Sequence, residues 1–334
     1  MRVKMLIASC DDTYTGLMSE YISNNYPDIM EICVCNDLKG LQETLSSRRY
    51  DVALMDAEFI NSAEPGSVKL PLMLWSEAGP DEISEQVPRV NKYQRISSIV
   101  ADVLEQYAKI SGKRCDPDSK TANIIAVWSP AGGVGKTTLA LAYATAGVTE
   151  GKDVFYLNLE SFSSVPAFFS ERGKSISAVF DLLDECEGNV KMLLQGIRCR
   201  ENGVTYLCEP DNFDDICILS EENIIELVTS CARITDELII DLSSICDNNI
   251  RQVFELADRV LLVTDPSLPA QIKLSQFTSQ NNVFEGIREK TTLVANKGAI
   301  INEPGIEKVV SLPYIKTTET SVVYKALKSF CLNA

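Results

Sequence analysis

Residues 124–142 read Ile124-Ile125-Ala126-Val127-Trp128-Ser129-Pro130-Ala131-Gly132-Gly133-Val134-Gly135-Lys136-Thr137-Thr138-Leu139-Ala140-Leu141-Ala142. A buried-type strand, a glycine turn and the opening of a helix follow one another without a break. Glycines in such a turn let backbone N–H groups close around phosphate oxygens, and the helix N-terminus adds partial positive charge. A lysine at 136 reaches the outer phosphates, and the Thr137 hydroxyl suits Mg²⁺. The stretch Val127–Thr138, with Gly132, Gly133, Val134, Gly135, Lys136, Thr137 and Thr138 as contacts, is therefore expected to hold ATP with Mg²⁺. The alternative is a glycine-rich turn feeding an ordinary helix; Gly-Lys-Thr-Thr at the right offset between strand and helix argues against it.

Outward from this stretch the apolar runs and helical patterns alternate. On the C-terminal side the runs are Val154–Leu159, Gly203–Cys208, Leu238–Asp241, Val260–Val263 and Thr292–Asn296. On the N-terminal side runs at Val3–Ala8, Met30–Val34, Val52–Met55 and Pro71–Trp75 alternate with helical patterns at Tyr14–Asn25, Leu38–Ser47 and Ser97–Ala108. Alternation of this kind implies parallel sheets, hence an α/β fold. Between Ala108 and Ala122 the periodicity stops in a polar segment with Gly112 and Pro117, which marks a boundary. Two domains are expected, 1–110 and 122–334, joined by a linker over 111–121. With 31 basic against 47 acidic side chains the formal charge is −16, a balance that disfavours nucleic acid. The 11 cysteines show no C-x-x-C spacing and there is no histidine, which disfavours zinc. Met1–Cys10 carries only Arg2 and Lys4 as basic residues, and no apolar stretch approaches ~18 residues, so a reduced, soluble, cytoplasmic protein is expected.

The loop departs from the strict G-x-x-x-x-G-K-[ST] pattern at Pro130. Ser129–Thr138 resembles instead the deviant Walker A loop of the MinD/ParA family of dimerising ATPases. That family places a signature lysine just before the two glycines, where this chain has Ala131. The resemblance implies that one cation is missing from the phosphates and that hydrolysis is weak or absent. The strand ending Asn158-Leu159-Glu160 stands where the family carries Asp-x-Asp, so Glu160 would sit where the attacking water is positioned, with Lys136 as its catalytic companion. Polar residues at a strand end are the plainer reading. Asp241, closing Glu237–Asp241, suits a Walker B carboxylate that holds Mg²⁺ with Thr137; taken alone, a strand-end aspartate is more often a helix cap or turn former than a metal group. Asn296 and Lys297 resemble the family's adenine-side strand end, and Pro313 with Tyr314 the segment covering the ring. The final helix, Glu319–Phe330, reads as a packing helix and not as a direct membrane anchor.

In the N-terminal domain Asp11 and Asp12 follow the first strand, Asp56 ends the third, Ser76 follows the fourth and Lys92 the next. This set resembles a response-regulator receiver, a flavodoxin-like parallel sheet, with Asp56 as phosphoacceptor; the other reading is a binding module with a strand-end carboxylate. From Asp56 to Ser76 is 20 positions and from Ser76 to Lys92 is 16, so the third and fourth helices are expected to be short. A degenerate receiver followed by a larger, doubly wound, mostly parallel P-loop sheet resembles the TadZ/CpaE family of Tad pilus-assembly proteins across essentially the whole chain. The resemblance implies a homodimer that binds ATP and marks a cell pole for pilus-assembly and secretion proteins. The competing expectations are a ParA/MinD-type partition or positioning ATPase, and an ATPase controlled by phosphorylation of Asp56.

Overall fold

The computed structural model describes residues 2–60, 62, 66–76, 87–112, 122–184, 188–301, 303–317 and 320–331. Linker residues 113–121 and Glu319 lie outside that set, as does the side chain of Phe330. The chain divides into two compact units, Met1–Lys113 with Glu187–Ile197, and Arg114–Cys186 with Arg198–Ala334.

The first unit runs β1 (Val3–Ala8), α1 (Asp12–Asn25), β2 (Met30–Cys35), α2 (Leu38–Ser47), β3 (Tyr50–Asp56), α3 (Ala57–Ile60), β4 (Val68–Trp75), β5 (Arg89–Asn91) and α4 (Ile96–Ser111). Its strands pair in parallel in the order β2-β1-β3-β4-β5, a doubly wound order. Alternating residues of the central strands feed two cores. Met5, Ile7, Val52 and Leu54 face Met18, Ile22, Val100 and Leu104 of α1 and α4, while Leu6, Ala53 and Met55 face Leu41, Leu45 and Phe59. Helix α1 begins two residues before the apolar periodicity because Asp11 caps it, its side chain accepting from Tyr14 N. Helix α3 is a single turn, which fits the short crossover.

The second unit runs β6 (Asn123–Trp128), α5 (Lys136–Thr149), β7 (Val154–Leu159), α6 (Val165–Phe168) and α7 (Ser177–Asp184). The chain then forms α8 (Val190–Ile197), which belongs to the first unit and packs along α4. It returns through β8 (Cys199–Glu201), β9 (Val204–Tyr206), α9 (Glu221–Ala232), β10 (Glu237–Leu242), α10 (Asn248–Leu256) and β11 (Arg259–Thr264). It closes with α11 (Leu268–Thr278), α12 (Asn281–Ile287), β12 (Thr291–Ala295), β13 (Lys308–Ser311) and α13 (Thr320–Cys331). The sheet order is β13-β12-β11-β6-β10-β7-β9-β8, parallel except for β8 against β9. Its strands β6, β7, β10 and β12 are buried from end to end except at Asn123, the exposed first residue of β6, as strands covered on both faces must be. Ile125 and Val127 face α5, whereas Trp128 turns to Phe254 of α10 and Phe277 of α11. Helix α13 packs on α5 through buried Leu327 and Cys331. Among the described residues no helix is long and apolar enough to cross a membrane. With β10 on one side of β6 and β11 on the other, the chain order diverges at the carboxyl end of β6, the place where doubly wound sheets bind ligands.

Candidate functional site

The glycine turn leaves β6 through Ser129, whose buried hydroxyl accepts from Ala131 N at 3.1 Å. Gly133 and Gly135 take φ of 75° and 99°, values that favour glycine. A Cβ at Gly132 or Gly133 would meet open space, whereas one at Gly135 would lie 2.5 Å from Asn296 Nδ2. Helix α5 starts at Lys136 with no side-chain cap, so its first amides are open to an anion. Ala131 is buried in the same core cluster as Val127, Val134 and Leu139. The position that carries a lysine in the MinD/ParA pattern is thus filled inward by a methyl group.

Behind the turn lies a nearly dry polar cluster. Asp241, on β10, is fully buried; its Oδ2 accepts from the Tyr156 hydroxyl at 2.8 Å and from Asn158 Nδ2 at 3.2 Å. Its Oδ1 is buried without a hydrogen-bond partner. Burial, and then the charge of Glu160, push the Asp241 carboxyl up to about 7, against the pull of the Thr137 and Tyr156 hydroxyls and of Lys136. The Lys136 side chain is 8% exposed; its Nζ donates to Ser244 Oγ at 3.1 Å and lies 3.9 Å from Glu160 Oε1. Burial raises the Glu160 carboxyl, opposed by Lys136 and Asn158. Asn158 Oδ1 accepts from Glu160 N at 3.3 Å, which ties the two strand-end residues together. A carboxyl with one orphaned buried oxygen beside a threonine hydroxyl fits a divalent cation, and uncapped amides with a buried lysine fit a polyphosphate. Tyr156 and Ser244 were not expected in this cluster. Tyr156 was legible in principle, since it shares a strand face with Asn158 two residues on; Ser244 follows β10 with no pattern to mark it.

Asn296, just past β12, is buried, with Nδ2 donating to Val134 O at 2.8 Å. Lys297 Nζ donates to Gly133 O at 2.7 Å and pairs with Asp265 Oδ2 at 2.9 Å. Leu312 is buried and bonds its N–H to Ala295 O, which brings exposed Pro313 and Tyr314 alongside Gly298.

In the first unit Asp56 meets Lys92, whose Nζ lies 3.1 Å from both carboxylate oxygens. The group reaching Asp56 from β1 is the hydroxyl of Ser9, 2.5 Å from Oδ2. Lys92 Nζ also sits 5.0 Å over the Tyr14 ring, and the Tyr14 hydroxyl donates to Lys92 O. The Asp11 carboxylate caps α1 and that of Asp12 accepts from the Asn36 amide, so neither carboxylate bonds to Asp56 or Lys92; Asp11 meets the site through its backbone N–H, which donates to Ser9 Oγ at 3.2 Å. Ser76 stands one residue beyond β4, half-buried. Ser9 went unnoticed in the sequence because the conspicuous acids stand two positions further on. Among the described residues no group of three or more His, Cys, Asp or Glu is arranged to hold a metal.

No protein-family model matches the chain, and no curated protein does. Solved structures do match. The chain is similar to the ParA family ATPase from Chlorobium tepidum TLS, at 17% identity and a TM-score of 0.54, over 64% of this chain and 98% of that one. It is similar to the cell division ATPase MinD of Pyrococcus furiosus, at 15% identity and a TM-score of 0.48, over 63% and 98%. It is also similar to the septum site-determining protein MinD of Pyrococcus horikoshii OT3, complexed with Mg-ADP, at 14% identity and a TM-score of 0.47, over 64% and 86%. At 17% identity the likeness to the ParA family ATPase shows the fold alone, a MinD/ParA-like α/β P-loop fold over 64% of this chain.

Proposed function

We propose that the protein is an ATP- and Mg²⁺-binding localisation factor of the TadZ/CpaE kind, which marks the assembly site of a Tad pilus machinery and acts as a nucleotide-dependent homodimer with weak or no hydrolysis. The observation carrying this reading is the pairing of an intact phosphate turn, with Lys136, Thr137 and Asp241 behind it, with the loss of charge at Ala131 and Asn158. Binding needs the first set. Transfer of a phosphoryl group needs cationic countercharge, which Ala131 does not supply, and a positioned water and cation, which the neutral Asn158 amide holds less strongly than a carboxylate would. ATP with Mg²⁺ supplies the charged group whose presence distinguishes the two states. Around it, the amides at the start of α5 and Lys136 bind, Thr137 and Asp241 hold the cation, and Glu160 orients the segment that follows β7. Asn296, Pro313 and Tyr314 border the space beside the turn where a base would lie.

The first unit serves in this reading as the address, a receiver-like module that contacts pilus-assembly or polar landmark proteins. Ser9 at the place facing Asp56, with the Asp11 and Asp12 carboxylates engaged elsewhere, favours a binding module over a phosphoacceptor, because the side chain that reaches Asp56 from the end of β1 is a hydroxyl and not a second carboxylate to share a cation with it. The test is imaging of the fluorescently tagged full-length chain in cells that build such a pilus. The wild-type chain is expected to form polar foci and Lys136→Ala to spread through the cell. Foci of Lys136→Ala equal to the wild type in number and position would sink the nucleotide switch.

A further inference from the structure

Two successive carbonyls of the glycine turn are tied down from one neighbouring strand end. Val134 O takes the Asn296 amide at 2.8 Å, and Gly133 O takes the Lys297 ammonium at 2.7 Å. In a trans peptide the C=O and N–H of one plane point in opposite directions. Holding the carbonyls of Gly133 and Val134 toward β12 therefore turns the N–H groups of Val134 and Gly135 the other way. Successive N–H groups facing one side make an anion-binding concavity.

Both braces are themselves held. The Asn296 amide is engaged at each end, Nδ2 on the turn and Oδ1 on Lys297 N at 2.8 Å. Its seat against Gly135 has no room for a Cβ. Lys297 is anchored by Asp265, whose Oδ1 takes Ser267 N at 3.0 Å and Ser267 Oγ at 2.5 Å. A continuous run of bonds thus leads from Ser267 through Asp265 and Lys297 to Gly133. Lys297 also has φ of 54°, a left-handed value uncommon for lysine, which the bonds of its side chain hold in place. By resemblance Asn296 would read adenine, but here Asn296 Nδ2 and Lys297 Nζ both donate to carbonyls of the turn.

We propose that Asn296 and Lys297 are positioning residues of the phosphate turn, which preset the amides of Val134 and Gly135 for a polyphosphate irrespective of the base attached to it. The proposal rests on the turn's being a phosphate site. It is tested by calorimetric titration of the full-length protein with Mg-ATP, Mg-GTP and inorganic tripolyphosphate, comparing the wild type with Lys297→Gly and Asn296→Ser. Glycine suits φ of 54° better than lysine, so Lys297→Gly keeps the backbone while removing the brace, and melting curves on the same samples check that it is folded. Both variants are expected to lose roughly tenfold in affinity for all three ligands in the same proportion, as loss of a charge-assisted or buried hydrogen bond implies. Should Asn296→Ser not fold, Lys297→Gly alone decides. A loss confined to ATP, with tripolyphosphate bound as before, would overturn the proposal and assign the residues to the base. Equal binding by wild type and variants would overturn it as well. A wild-type chain that takes none of the three ligands would refute the phosphate site itself and the proposal with it.

Discussion

Asp241 concentrates the electrostatics of the candidate site. Buried completely, near the Glu160 charge and with one oxygen unpartnered, it is pushed from 3.8 up to about 7. Between those values the folded chain keeps a proton that the unfolded chain gives up. Stability drawn from this group is therefore fully present below about pH 4 and is lost as pH rises through about 7. Glu160, raised by burial, acts with the same sign. The loss is on the order of 4 kcal/mol at most, from three pKa units at about 1.4 kcal/mol each. Denaturant unfolding of the nucleotide-free protein from pH 5 to 8 is expected to show Asp241→Asn with a flatter pH dependence than the wild type. Indistinguishable slopes would mean that Asp241 is already ionised in the folded protein. At the same scale, the glycine turn and the helix start at Lys136 were legible because glycine, lysine and threonine stand at fixed offsets between strand and helix. The acid pair Asp11-Asp12 could be read two ways, because the same residue types also cap helices and hold amides, which is what these two carboxylates do in the fold.

Helix α8 shows what pattern reading cannot reach at the level of elements. Val190, Leu193, Leu194 and Ile197 form an apolar stripe like that of any surface helix, and nothing in them states which unit they cover. In the fold α8 lies on α4, and a Cβ at Gly196 would come within 2.6 Å of Leu104 Cδ1. Gly196→Leu is expected to push the two helices apart at a cost of about 1–3 kcal/mol. The measurement is the thermal midpoint, which should fall by several degrees, with ATP affinity at low temperature unchanged; an unaltered midpoint would show that the helices do not need this close approach. The strands were legible where they are central, since strands buried on both faces read as unbroken apolar runs. The edge strands β5, β8 and β13 are three or four residues long and carry Arg89, Arg200 and Lys308, so neither length nor alternation announces them. The true bounds of α1 and α4 exceed the apolar periodicity by one to three residues at the ends that differ, where polar residues enter a helix without contributing to its buried face.

At the scale of the whole molecule the chain passes between its units at Lys113/Arg114, Cys186/Glu187 and Ile197/Arg198. A cut that removes residues 1–110 would therefore strip α8 of the α4 surface it covers, so the function of each unit has to be tested in the intact chain. The net charge of −16 sets the second global constraint: binding to nucleic acid would need basic residues clustered against the overall charge, and a salt-dependent DNA mobility shift is the measurement that separates the proposed role from a DNA-bound partition ATPase. The proposed role is a nucleotide switch that changes association without appreciable turnover, and one measurement addresses it directly. Sedimentation of the full-length protein with and without ATP and Mg²⁺, with phosphate release followed in the same samples, is predicted to show monomers becoming dimers on addition of nucleotide while phosphate appears at background rate. Brisk phosphate release, or a sedimentation profile indifferent to nucleotide, would contradict the account.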